Sequence, residues 1–180
     1  MKKYKFTGKT DKMKEEIFNI ISRTIRLNSH DLYLTNADTT MYTRNGRYLH
    51  RLPQFKELTD YVLECAKEHQ DNIRPVMTWA NIYPTGSLIR PHNHTTFKEM
   101  LSAVLYLQGN GELRFEESVE KIDEGSIIIF PGWLKHWTGP NENQQDRIIV
   151  GFDLYYGDMT DEEFEKELAM HESLIPIVEF

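Results

Sequence analysis

The sequence predicts a mainly β protein with flanking α-helices, a sandwich or jelly roll buttressed on one sheet by helices near the N-terminus. Three observations lead there. After Pro75 come short runs rich in β-branched and aromatic residues, VMTWANIY, LSAVLYLQ, GELRFEE, GSIIIFPG and RIIVGFDLYY, separated by Gly, Pro and Asn. They recur at intervals of about ten residues, the rhythm of short antiparallel strands. Ahead of them, two stretches carry apolar residues at helical spacing.

In chain order, MKKYKFTGKTDKMKEE is charged and has no apolar signal core. In TDKMKEEIFNIISRTIRLN, Thr10 or Asp11 caps a helix whose Ile17, Ile21 and Ile25 share one face. DLYLTNADTTMYTRNGRYLHRL reads as short strands or loops with a turn at Asn45-Gly46. Pro53 stands near the start of a second helix, with Phe55, Leu58, Val62, Cys65 and Ala66 at helical spacing. The tail DEEFEKELAMHESL reads as a terminal helix with Phe164, Leu168 and Leu174 facing inward. One domain over residues 1–180 is expected: a helical buttress with short strands at 1–74, a β core at 75–157, and a C-terminal helix and tail at 158–180.

At 180 residues and 39% hydrophobic content, such a chain buries one core without disulfides or metal staples. The single cysteine, Cys65, excludes an intrachain disulfide and falls at a core position. Twenty-one basic against 28 acidic residues, a net charge of -7, give no broad basic surface, so neither nucleic acid nor a membrane surface is an expected partner. No segment approaches the roughly 18 apolar residues of a membrane span. A cytoplasmic protein follows as the expectation, with a homodimer through a sheet edge as an open assembly.

Chemistry gathers on histidines. In RPHNHTTFKEM, His92 and His94 are two apart, so an extended segment projects both rings to one side. A third ligand is available in FPGWLKHWTGP, where Pro131-Gly132 turns the chain before His136. Eleven residues later, Arg147 opens the apolar strand RIIVGFDL. Each has a structural alternative: His92 and His94 as solvated turn residues after Pro91, His136 packed between Trp133 and Trp137, Arg147 as a surface charge. His30, His50, His69 and His171 fall outside this pattern and read as surface or helix-end residues.

The order His-x-His, apolar strand, Gly-rich turn, strand ending in Pro-Gly, His, then Arg resembles the 2-oxoglutarate- and Fe(II)-dependent oxygenases. More narrowly, RPHNHTT, LSAVLYL, GSIIIFPGWLKHWTGPN and RIIVGFDL look like a group of such oxygenases patterned HxH, SGVYYL, FPSWLxHxV, RxSxxFN, over about residues 77–154. The resemblance implies a double-stranded β-helix and a hydroxylase that decarboxylates 2-oxoglutarate to succinate and CO2 with O2. It implies iron held by His92, His94 and His136, with Arg147 pairing the keto acid's far carboxylate. An iron site of this kind keeps one protein face and open positions opposite, and an Arg fork suits a carboxylate. The sequence departs from the wider superfamily at position 94, where Asp or Glu is usual; a neutral ligand there leaves the site more positive. Glu99 is a lower-ranked alternative ligand should the chain loop back.

Asn81 and Tyr83 share a strand face with Met77 and Trp79 and are candidates to bind cosubstrate or substrate. Tyr106 is a candidate to sit beside Arg147 at the carboxylate, Trp133 and Trp137 to exclude water near His136, and Lys98 to meet an acidic group. The substrate, a small molecule or a side chain, meets a mouth shaped by segments 29–52 and 95–100. Two other functions stay open. A cupin-type metalloenzyme would use Gly86, His92, His94, Glu99, then Gly125, Pro131 and His136 without needing Arg147; a non-catalytic jelly-roll module would bind a ligand through Tyr42, Tyr48, Trp133 and Trp137.

Overall fold

The computed structural model describes residues 1–23, 34–94 and 97–173, so the expectations for Ile25, His30, Leu174 and the first part of loop 95–100 lie outside the described residues. The strands are β1 (Lys2–Lys5), β2 (Asp38–Thr39), β3 (Ile73–Tyr83), β4 (Ile89–His92), β5 (Met100–Gln108), β6 (Gly111–Phe115), β7 (Val119–Ile122), β8 (Ser126–Pro131), β9 (His136–Thr138) and β10 (Arg147–Tyr156). The helices are α1 (Asp11–Ser22), α2 (Lys56–Ala66) and α3 (Asp161–Glu172). Six strands pair in the order β1-β8-β5-β10-β3-β2, and four in the order β4-β9-β6-β7; the strand pairs are antiparallel.

The larger sheet is covered on both faces, which is why its strands read as almost unbroken apolar runs. Ile127 and Ile129 of β8, Leu101, Ala103 and Leu105 of β5, and Ile148, Val150 and Phe152 of β10 pack with Met13 and Ile17 of α1 and Leu58 and Val62 of α2. Their alternates, Ile128, Phe130, Tyr106, Ile149 and Tyr83, meet Leu113, Phe115 and Ile122 of the smaller sheet. The two sheets thus close face to face as a jelly roll, with α1 and α2 on the outside.

β3 begins at Ile73, two residues before the predicted core, and carries Pro75 within it. Asp153 pairs with Met77 and Leu154 with Pro75, so the register shifts there and Val76 is the extra residue of a bulge. The irregularity falls where proline has no N–H for a regular ladder. β1 was not predicted: KKYK pairs with β8 through Lys2↔Ile129 to Lys5↔Ser126 with three of its four side chains exposed, so no apolar alternation marks it. α3 starts on a capping box in which the Thr160 hydroxyl accepts from the Glu163 N–H and the Glu163 carboxylate accepts from the Thr160 N–H. Its Phe164 and Leu168 are buried, as predicted, against Met77, Trp79, Phe97 and Tyr155 at the rim of the sandwich.

Phe55, fully buried between the helices and the sheet, tests this packing. Phe55→Ala is expected to lower the unfolding free energy by about 3–5 kcal/mol in urea titrations, and a loss under about 1 kcal/mol would contradict a helical layer docked on the large sheet.

Candidate metal centre

His92 ends β4 and His136 opens β9, and the two are direct cross-strand partners. Their rings stand 4.3 Å apart between centroids. His94 lies two residues past His92, its N–H donating to the Gly132 carbonyl at 2.8 Å, while the Gly132 N–H donates to Met100 O at 2.9 Å. These bonds hold the HxH segment against the end of β8. A Cβ on residue 132 would fall 2.9 Å from the His94 carbonyl oxygen, so the close approach requires glycine. The His94 ring is 5.1 Å from each of the other two, and one ligand atom from each histidine lies within 4.8 Å of the others.

The hydrogen bonds decide which nitrogens are offered. His92 Nδ1 meets Arg90 O at 2.8 Å, and His136 Nδ1 meets Leu134 O at 2.9 Å. A carbonyl only accepts, so both Nδ1 atoms carry their protons and both Nε2 atoms carry lone pairs able to take a metal. His94 Nδ1 bonds Asp153 Oδ1 at 2.6 Å. Its Nε2 is buried with no hydrogen-bond partner among the described residues. Three imidazoles each oriented through Nδ1, with Nε2 free, form the arrangement of metal-bound histidines, and neutral imidazole suits Fe, Zn, Cu or Ni. The residues present therefore fit a divalent transition metal.

Sequence reasoning missed Asp153. It is 2% exposed, in the middle of the apolar run of β10, and its Oδ1 also accepts from Ser102 Oγ at 3.4 Å. Trp79 was predicted only to share a face with Asn81 and Tyr83; it stacks on the His94 ring at 5.5 Å and 20°. That stack needs a bare backbone behind it, because a Cβ on Gly151 would fall 2.9 Å from the indole. Phe130 and Phe115 pack against His136 at 4.7 and 6.4 Å.

Burial disfavours charge on these rings. Desolvation, reinforced by His94, lowers the His92 pKa to about 4. Desolvation, reinforced by His92 and His94, lowers His136 to about 2. For His94 burial also works downward, but the charge and hydrogen bond of Asp153 outweigh it and the pKa is raised.

A cavity of about 40 Å³ is lined by all three histidines with Trp79, Asn81, Tyr83, Ser102 and Thr138. Asn81 Nδ2 donates to the Tyr83 hydroxyl at 3.2 Å, inside it. Arg147 is 1% exposed. Its guanidinium lies over the Tyr83 ring at 4.9 Å and 5.9 Å from the Tyr106 ring. Its Nη2 donates to Thr138 Oγ1 at 3.1 Å and Gly139 O at 2.9 Å, while Nε is buried and unpaired among the described residues. Arg147 thus reaches the cavity through Thr138 and Tyr83, and itself lines an outer hollow with Gly111, Glu112 and Arg114. The Tyr106 hydroxyl donates to Glu112 O at 3.0 Å, and burial raises its pKa.

Other expectations are corrected. Glu99 is not brought to the three histidines; its side chain is 42% exposed beside Lys98, which is itself exposed. Trp133 does not seal the metal: it is 64% exposed, on the turn between β8 and β9. Trp137 follows His136 on β9, and alternation turns it to the opposite face. His50 is no surface residue, since its ring is half-buried and bonded to Thr78 Oγ1 at 3.1 Å.

No family model matches the sequence, and no curated protein matches it. Solved structures do match the fold. A viral collagen prolyl hydroxylase from Paramecium bursaria Chlorella virus-1, in complex with 2-oxoglutarate, superposes with a TM-score of 0.58 at 15% identity, covering 87% of this chain and 96% of that one. A Pseudomonas putida prolyl-4-hydroxylase gives 0.59 at 12% identity, over 87% and 92%. HygX from Streptomyces hygroscopicus, with nickel, 2-oxoglutarate and hygromycin B bound, gives 0.60 at 11% identity, over 88% and 84%. The chain therefore has the double-stranded β-helix fold of 2-oxoglutarate-dependent hydroxylases.

The depressed imidazoles set an acid limit for the metal-free protein. His50, lowered to about 4 by burial and Arg51, adds to His92 and His136. Below the unfolded value of about 6.5 the unfolded chain binds protons that these folded groups refuse, so stability falls with falling pH. Each group steepens the loss by about 1.4 kcal/mol per pH unit; His94, shifted upward, opposes it. Urea unfolding of metal-free protein at pH 7 and pH 5 is expected to show this drop, with a shallower slope in His50→Gln. Equal stability at both pH values would refute the buried, neutral rings.

Proposed function

We propose that the protein is a 2-oxoglutarate- and Fe(II)-dependent dioxygenase that hydroxylates a small-molecule or side-chain substrate. The observation that carries this is the convergence of His92, His94 and His136, each with Nδ1 engaged and Nε2 free, in a double-stranded β-helix. Similarity of fold to enzymes solved with 2-oxoglutarate supports it. With iron, 2-oxoglutarate and O2 bound, such a centre supplies an oxidant strong enough for an unactivated C–H bond as the keto acid is converted to succinate and CO2.

The chain's own groups have separate tasks. The three imidazoles would hold the ion. Trp79, Phe115 and Phe130 pack the ligand rings and keep water from them. Asn81 and Tyr83 present an amide and a hydroxyl to whatever occupies the cavity. Arg147, whose Nε lacks a partner among the described residues, would offer a fixed cation at the Thr138 end to the far carboxylate of the keto acid.

One observation favours a second function. Arg147 stands behind Thr138 and outside the lining of a cavity of about 40 Å³, which suits a cupin-type metalloenzyme without 2-oxoglutarate. Anaerobic addition of Fe(II) and then 2-oxoglutarate separates the two. The oxygenase is expected to develop a weak visible charge-transfer band, absent in His136→Ala, and Arg147→Ala is expected to need at least about tenfold more 2-oxoglutarate. Tight Fe(II) binding with no band in wild type would favour the cupin-type centre.

A further inference from the structure

We propose that Asp153 is a positioning residue of the metal centre and supplies, through His94, the negative charge that a ligating carboxylate would otherwise bring. The inference rests on the metal reading above and goes further, to how a centre of three neutral imidazoles attracts a divalent ion.

The three ligands are not equivalent. His92 and His136 give their Nδ1 protons to backbone carbonyls two residues back, at 2.8 and 2.9 Å. His94 alone among them gives its proton to a carboxylate, at 2.6 Å, in the short range of charge-assisted bonds. A backbone carbonyl fixes the tautomer; a carboxylate also draws the proton and makes the other nitrogen a stronger donor.

Asp153 stands where a carboxylate is costly. β10 reads RIIVGFDLYY, and a carboxylate in the middle of a doubly covered strand is costly unless paired. Alternation puts Ile148, Val150 and Phe152 in the core shared with the helices, and Ile149 and Asp153 on the other side, where Asp153 meets His94. The register shift between Asp153 and Leu154 falls beside it. Ser102 Oγ, on the neighbouring β5, donates to the same oxygen at 3.4 Å. His171, in the last turn of α3, lies within electrostatic range.

The His94 ring is fixed by Asp153 at Nδ1 and by Trp79 against its face, and its backbone is tied by the N–H bond to the Gly132 carbonyl. What remains is Nε2, buried and unpaired among the described residues. A hydrogen bond to a fixed carboxylate places negative charge one residue outside the ligand sphere, at the position where the sequence holds His instead of an acid.

The test uses Co(II) alone, added anaerobically to the full chain and followed by quenching of tryptophan fluorescence, since Trp79 stacks on a ligand. Asp153→Asn keeps an oxygen that accepts from Nδ1 and removes the charge. It is expected to weaken Co(II) binding by about 10–100-fold, with circular dichroism unchanged. Because that variant can fail to fold, the wild type is also read directly. Its ring NMR signals are expected to keep the His94 Nδ1 proton when Zn(II) is added, while the Nε2 nitrogen shifts. Equal Co(II) affinity in Asp153→Asn and wild type, or Zn(II) on Nδ1 of His94, overturns the role of Asp153 and leaves the metal centre standing. Failure of wild type to bind Co(II) overturns the metal centre itself.

Discussion

The backbone register that sets His92 opposite His136 is the constraint on which the site depends. β9 is only three residues long, and it is held on both sides: by β4 through His92↔His136 and Ile89↔Thr138, and by β6 through Phe115↔His136 and Leu113↔Thr138. Because side chains alternate along a strand, a slip of one residue would turn Trp137 inward and His136 outward. The same register puts Phe115 beside the His136 ring and Thr138 beside Arg147. Short strands are weak alone, so the two ladders and the aromatic packing on either side do the work that length does elsewhere.

The cost of this arrangement points to what it is for. Four buried side-chain polar atoms lack a partner among the described residues: Gln54 Oε1, Thr59 Oγ1, His94 Nε2 and Arg147 Nε. Gln54 and Thr59 lie on the helical side. The other two lie at opposite ends of the region around the cavity, one on a metal-ligand candidate and one on the candidate anchor for an anion. An unpaired buried group costs about 1–3 kcal/mol, and mutual proximity further disfavours charging the rings of His92 and His136. Under the proposed function, a cation at the histidines would relieve His94 Nε2 and an anion at Arg147 would relieve its Nε, so the two atoms are of the right sign for the ligands proposed.

Much of this was legible in the sequence because the information was local. Short β-branched and aromatic runs between Gly, Pro and Asn marked β3, β5, β6, β8 and β10, and helical spacing marked the faces of α1 and α2 that are buried. The three histidines were found through the spacing of His92 and His94 and the Pro131-Gly132 turn before His136. What escaped was short or long-range. β4, β7 and β9, at three or four residues, carry no readable period. Nearness to His136 in sequence suggests Trp133 as a water seal, but it sits exposed on a turn. His50 gave no sign of burial because its partner, Thr78, is on a distant strand. Asp153 had a local signal, an acid inside RIIVGFDL, but its partner is 59 residues away.

That missed residue changes the meaning of the one departure at position 94. Considered alone, histidine in place of a carboxylate removes an anion from the centre. With Asp153 bonded behind it, the anion is still present and has moved outward by the width of an imidazole. Distance weakens its pull on the ion, while burial at 2% exposure preserves much of it by keeping solvent from screening the charge. Moving the charge also frees its holder: Asp153 is placed by β10, the central strand between β5 and β3, rather than by the HxH segment at the rim. In the proposed centre the donor strength of His94 would then be set from a strand paired along both edges, and not from the exposed segments that carry Trp133 and Lys98.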